Sequence, residues 1–254
     1  MKNLIPKILQ TAKTSLLLLS CLFVGCEDIF LSQAEIARGL KSALEVGSEF
    51  ALKTLGKEDG FLLDQAVKIG LPADAAKFVK LVADTPLVGA LVGEAVKKIE
   101  EEFVLAINRA AEASIKEVIP IVLDAITTMT IQDANAILFS DNHYAATDYL
   151  HLKTYDRLCD ACMSVIEKTL KKNLVGNLSA QSVWEKLMTQ YNVVANMHFP
   201  GISLEQIDPD LSRYTTHKAL DGVFLKVGDT EQDIRTNVNA RINDILRKVF
   251  GQLD

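Results

Sequence analysis

Apolar residues recur every three or four positions along most of this chain, and the clearest run lies between Val104 and Met129. Val104, Ile107, Ala111, Ile115, Val118, Ile119, Val122, Ile126 and Met129 keep the helical period and predict one buried stripe. The opposite face carries Asn108, Glu112 and Lys116 at i, i+4 and i+8, and Glu112 ahead of Lys116 is the favourable order for a helical ion pair. Pro120 has no N–H to give the Lys116 carbonyl, so a kink or a break is expected there. Thr130 and Asp133 mark a new helix start, and Ser140-Asp141-Asn142 is turn chemistry. From Tyr144 the period resumes through Tyr149, Leu152, Tyr155 and Leu158.

The rest of the chain reads in the same period. Ser32-Gln-Ala-Glu35 is a capping box, followed by Ile36, Leu40, Leu44, Ala51 and Leu55 on one face and by Gly56 as a stop. Lys57 to Gly60 is a loop, and Gly60 to Leu71 has no clean period. Pro72 suits the first turn of a short helix to about Val82. Pro86 opens a segment whose Leu87, Leu91, Ala95 and Ile99 lead into the 104–129 stripe as one long helix. Met163, Ile166 and Leu170 extend the Tyr144 helix to about Asn173. Ser182-Val-Trp-Glu185 repeats the capping-box signature, and Met197 to Pro209 is irregular and the best place for a cleft lip. Thr216 caps a helix holding Leu220, Val223 and Phe224, with Gly222 a close-packing glycine. Gly228-Asp229 breaks that helix, and Asn237-Val-Asn239 interrupts again before Ile242, Ile245, Leu246, Val249 and Phe250. Few aromatics, few glycines and this period together predict an all-α fold, an irregular bundle of about eight to ten helices.

The first residues are expected to lie outside that bundle. Lys2, Lys7 and Lys13 precede an apolar run from Thr14 to Gly25, too short for a transmembrane helix. The run ends Leu22-Phe23-Val24-Gly25-Cys26, which resembles a bacterial lipobox; Leu18-Leu19-Ser20-Cys21 is a weaker candidate. Cys26 is preferred because Glu27 and Asp28 follow it directly. The expectation is a cleaved lipoprotein signal peptide over 1–25, a lipidated tether over 26–31 and one domain over 32–254. Several acyl chains on Cys26 would anchor the protein stably. An ordinary secretory signal and an apolar N-terminal helix of a cytoplasmic protein are the competing readings. Glu27 is not the aspartate that resembles an inner-membrane retention signal, which favours the outer membrane and leaves its face open.

Charge and cysteines narrow the function classes. The chain has 27 basic and 33 acidic residues, and loss of residues 1–25 removes three lysines and no acid, leaving a mature charge of −9. That disfavours nucleic acid and electrostatic adhesion to anionic lipid. Cys159 and Cys162 sit at i, i+3 in a helical pattern. They read as two small half-buried residues, as a disulfide in an oxidising compartment, or as a redox or metal pair. The metal reading lacks partners, because His143, His151, His198 and His217 show no ligand spacing and no second CxxC exists. There is no phosphate-binding glycine loop, no HExxH and no GxSxG, and no cofactor is expected. The polar set that stands out is Asn108, Arg109 and Glu112 with Thr147, Asp148 and Tyr149, where Arg109 can pair with Glu112 or Asp148. It reads as a helix–helix clamp, as the polar floor of a groove for a peptide or anion, or as a catalytic cluster without a visible nucleophile.

These residues also carry a resemblance. Asn108-Arg-Ala-Ala-Glu112, Asp124-Ala-Ile126 with Met129-Thr130, and Ala145-Ala-Thr-Asp-Tyr149 resemble the bacterial family called domain of unknown function 4197. Lys218-Ala-Leu-Asp-Gly-Val-Phe224, Ile234-Arg235 and Val249-Phe-Gly251 extend the resemblance over roughly Leu31 to Gly251. Ser140 to His143 stands where a glycine is expected, Val238 where a proline is expected, and Cys159 and Cys162 lie outside the family pattern. The family has no assigned biochemical activity and lends no catalytic residue. The leading expectation is a non-enzymatic adaptor that presents a helical surface to an envelope protein partner. A carrier of an apolar ligand such as a lipid is the alternative, and an enzyme of unknown reaction the third. A carrier should hold an elongated apolar pocket, and an adaptor should show a filled core with an exposed groove.

Overall fold

A computed structural model describes residues 31–173, 179–196 and 210–254. The lipobox, Cys21, Cys26, His198 and the 197–209 stretch lie outside the described residues. The described chain is helical, without strands: α1 Gln33–Leu55, α2 Ala73–Asp84, α3 Pro86–Thr128, α4 Ile131–Leu138, α5 Ala145–Leu170, α6 Ala180–Asn196, α7 Leu211–Thr236, a 3-10 turn Val238–Ala240, and α8 Asp244–Phe250. None of these helices is long and apolar enough to cross a membrane.

The helix α3 is the axis of the bundle. It packs against α1, α2, α5, α6 and α7, while α1 also packs on α4, α7 and α8. At 43 residues it is about 65 Å long. Its predicted stripe is inside, with Ile107, Ala111, Val118 and Ile126 fully buried. Pro120 makes no break: the helix runs through it. Pro120 and Lys116 both lie on the exposed side, where water can serve the carbonyl that the proline leaves free. Nearer its start the buried face is Val88, Val92, Val96 and Ile99, one position on from the predicted Leu87, Leu91 and Ala95; Leu87 and Leu91 are exposed. Leu and Val alternate there, so both registers satisfy the helical period.

Caps set the helix ends. Ser32 with Glu35, and Thr130 with Asp133, form reciprocal capping boxes. The signature at Ser182 is displaced: α6 starts three residues earlier, where the Ser179 and Ser182 hydroxyls each accept from the other's backbone N–H at 3.1 Å. The helix α7 runs unbroken through Thr216 and Gly228-Asp229 and is capped by Asp210. Thr216 instead donates to the Ser212 carbonyl, and Gly228 is buried, its Cα side facing the Tyr144 ring. Gly222 is a close-packing glycine, since a Cβ there would meet Phe61 at 2.9 Å. Past Asn237 the chain turns; Leu246, Val249 and Phe250 enter the core, while Ile242 and Ile245 stay exposed.

Candidate functional site

Asn108, Glu112 and Lys116 do not form a solvated face. Asn108 and Glu112 are buried, because the aperiodic 57–71 segment lies over that side of α3. A segment without helix or strand cannot satisfy its own backbone, so α3 does it. The Asn108 side chain accepts from the Ile69 N–H at 2.9 Å and donates to the Ile69 carbonyl at 2.8 Å. Glu112 accepts from the Phe61 N–H at 3.2 Å and from Arg109 at 2.7 Å. Arg109 spans to Asp59 at 2.6 Å, and Asp59 holds a left-handed φ of 66° in this loop. Glu112 therefore pairs with Arg109, and the expected partner Lys116 lies instead 4.0 Å from Glu117.

The other half of the predicted polar set lies elsewhere. Thr147 donates to Glu231, Asp148 accepts from Asn142, and the Tyr149 hydroxyl donates to Asp133 at 3.5 Å. The six residues thus do not converge. Three fasten a loop to α3, Thr147 and Asp148 serve the entry to α5, and Tyr149 reaches the capping carboxylate of α4. Arg109 pairs with Glu112 and Asp59, while Asp148 takes Asn142.

Glu231 and Arg235 form a cluster that sequence reading did not single out as a site. Both side chains are 4% exposed and pair at 2.9 Å. Glu231 accepts from the N–H groups of Ala146 and Thr147, the free donors at the start of α5. Arg235 donates to the carbonyls of Ile137 and Leu138 in the last turn of α4. One ion pair on α7 thus closes two helix ends whose dipoles suit its two charges. Tyr144, the N-cap of α5, makes no side-chain cap of its own. Arg241 repeats the device, donating to the Ile234 and Arg235 carbonyls at the end of α7 and gripping Asp254 with two bonds. The i, i+4 spacing of Glu231 and Arg235 was the available signal, but on paper it looks like any surface pair.

Cys159 and Cys162 are free thiols on α5. Burial pushes the Cys162 thiol up to about 12, which makes it a poor nucleophile. Among the described residues no group of three His, Cys, Asp or Glu is placed to hold a metal ion. The Tyr155 hydroxyl meets His217 Nδ1 at 2.7 Å beside a cavity of about 250 Å³ that Trp184 also lines. The charges around that cavity are spent on one another, Arg213 with Asp210 and Lys218 with Asp221.

A cavity of about 330 Å³ opens beside His143, Arg235 and Leu253, and a groove of about 490 Å³ lies between α1, α7 and the chain after α7. Phe50 and Ala51 from α1, Thr230 and Ile234 from α7, and Ile242 and Leu246 beyond it make its wall apolar. Phe50 is 69% exposed and Ile242 66% exposed. Asp64, Lys226, Asp229 and Asp233 supply its charged residues, with Lys226 held at 2.6 Å from Asp64. A neighbouring cavity lined by Ser48 measures only about 10 Å³, room for at most one water.

The described residues form an all-α domain whose buried Asn108, Glu112, Glu231 and Arg235 fasten its own chain and whose surface carries an apolar groove. A family model described as Protein of unknown function (DUF4197) matches residues 30–251, and the chain belongs to that family. No curated protein and no solved structure matched the chain.

Proposed function

We propose that this protein is a lipid-anchored adaptor of the bacterial envelope, held through acyl chains on Cys26 and presenting the α1–α7 groove to another envelope protein. The observation that carries the reading is an open apolar groove with two large exposed apolar side chains, Phe50 and Ile242. Exposed apolar surface of this kind costs solubility and marks interaction sites. The buried polar clusters favour a non-enzymatic role, since their donors and acceptors already serve backbone groups of this chain. A cysteine preceded by a short apolar run and followed by acidic residues supports the anchor, and the outer membrane is the favoured site.

Two measurements test the reading. Cys26→Ser should remove the acylated form from the membrane fraction, and its retention there would overturn the anchor. Native mass spectrometry of the chain from Glu27 onward, against a denatured control, should show an apo species. A co-purifying mass of lipid size, lost on denaturation, would replace the adaptor with a carrier.

A further inference from the structure

The walls of the groove have the dimensions of a helix seat. On α1 the residues Val46, Phe50 and Thr54 line it at i, i+4 and i+8. On α7 Lys226, Thr230 and Asp233 line it with the same period. Each wall is two turns long, about 12 Å, and two helix faces side by side offer ridges between which a third helix packs. No strand or sheet edge is present among the described residues to receive an extended peptide. Phe50 and Ile242, from separate segments, line it as exposed apolar contacts.

The charge along the groove selects the occupant. Three carboxylates line it against one ammonium, and that ammonium, Lys226, is closest to Asp64. Asp229 keeps a longer approach of 3.9 Å to Lys226 and is half-exposed. Asp233 lies four residues after Asp229, one turn along the same wall and also exposed. Like charges at i, i+4 on one helix face repel. Cations brought by a partner would relieve that repulsion, while an acidic or purely apolar occupant would leave it. We propose that the groove seats an amphipathic helix of a partner protein, with lysine or arginine flanking its apolar stripe so as to meet Asp229 and Asp233. This rests on the adaptor reading and adds the chemistry of the partner.

The test uses the full-length protein in an uncharged detergent, with photoreactive benzoylphenylalanine replacing Phe50, or replacing the distant exposed Leu152 as reference. The probes are two 18-residue helical peptides with a leucine face flanked by lysine in one and by glutamate in the other. The lysine peptide should give on the order of tenfold more adduct at position 50 than at position 152, and more than the glutamate peptide. Asp229→Lys with Asp233→Lys should invert that preference. Asp156→Lys with Asp160→Lys, an exposed acidic pair of the same spacing on α5, should leave it unchanged. Equal labelling by both peptides, or equal loss from both double variants, would overturn the basic helix as occupant while the adaptor survives. A phospholipid adduct at position 50 in place of either peptide would sink both readings. An adduct to residues before Leu31 would show the groove filled by this chain itself and overturn the proposal.

Discussion

Asn108 shows how one residue settles a segment that has no structure of its own. Its carboxamide takes both backbone groups of Ile69, as a neighbouring strand would, and also donates to the Val104 carbonyl at 2.7 Å. Asn108→Ala leaves a buried donor and acceptor without partners, and is expected to cost about 2–3 kcal/mol in urea unfolding; a loss below about 0.5 kcal/mol would contradict this role. Two capping carboxylates titrate in the same spirit. The N–H and hydroxyl of Ser32 hold Glu35 below the ordinary carboxylate range, and the hydroxyl and N–H of Thr130 do the same for Asp133. A lowered folded value means the unfolded chain takes up the proton first as pH falls. The caps therefore contribute fully above the unfolded carboxylate range, and the contribution is lost as pH drops below about 4. The stability gap between the native protein and Asp133→Ala should shrink between about pH 6 and about pH 2.5; a gap that grows would reverse the sign.

At the scale of elements, the Glu231–Arg235 pair replaces local caps. The α4–α5 connection is short, Tyr144 provides no side-chain cap, and a pair from α7 serves both ends at once. Glu231→Gln strands a buried guanidinium and should cost about 3–5 kcal/mol. Combining it with Arg235→Met should cost clearly less than the sum of the two single changes, because they share one network. Strict additivity in chemical denaturation would show that the two act separately. This explains what the sequence shows and what it hides. Period and caps are local, so α1, the long α3 and the boxes at Ser32 and Thr130 were legible. The break expected at Gly228-Asp229 was not formed, because Gly228 faces Tyr144 and the flanking Val227 and Ile234 are buried, so packing carries the helix through it. The cover over Asn108 and Glu112 was not legible, because nothing in their spacing reveals that an aperiodic segment lies across them.

For the whole molecule, the buried side chains of Asn108, Glu112, Glu231 and Arg235 tie separate segments to one another. The groove was not legible, because its walls come from residues 46–54, 226–234 and 240–246, which only tertiary packing brings together. Its apolar members were also indistinguishable on paper from core: Ile242 sits in the same period as Leu246 and Val249 yet is exposed. Three acidic residues, Asp64, Asp229 and Asp233, border the apolar surface, in keeping with the net charge of −6 of the whole chain. The central claim is that this surface serves a protein partner at the membrane. Its most direct test is photocrosslinking in intact bacterial cells that express the full-length chain, with the reactive residue at Ile242 and, as reference, at Leu152, which is 81% exposed. The account predicts one protein adduct of fixed mass from position 242, absent from position 152 and abolished by Phe50→Ser. Lipid adducts alone, or the same products from both positions, would contradict it.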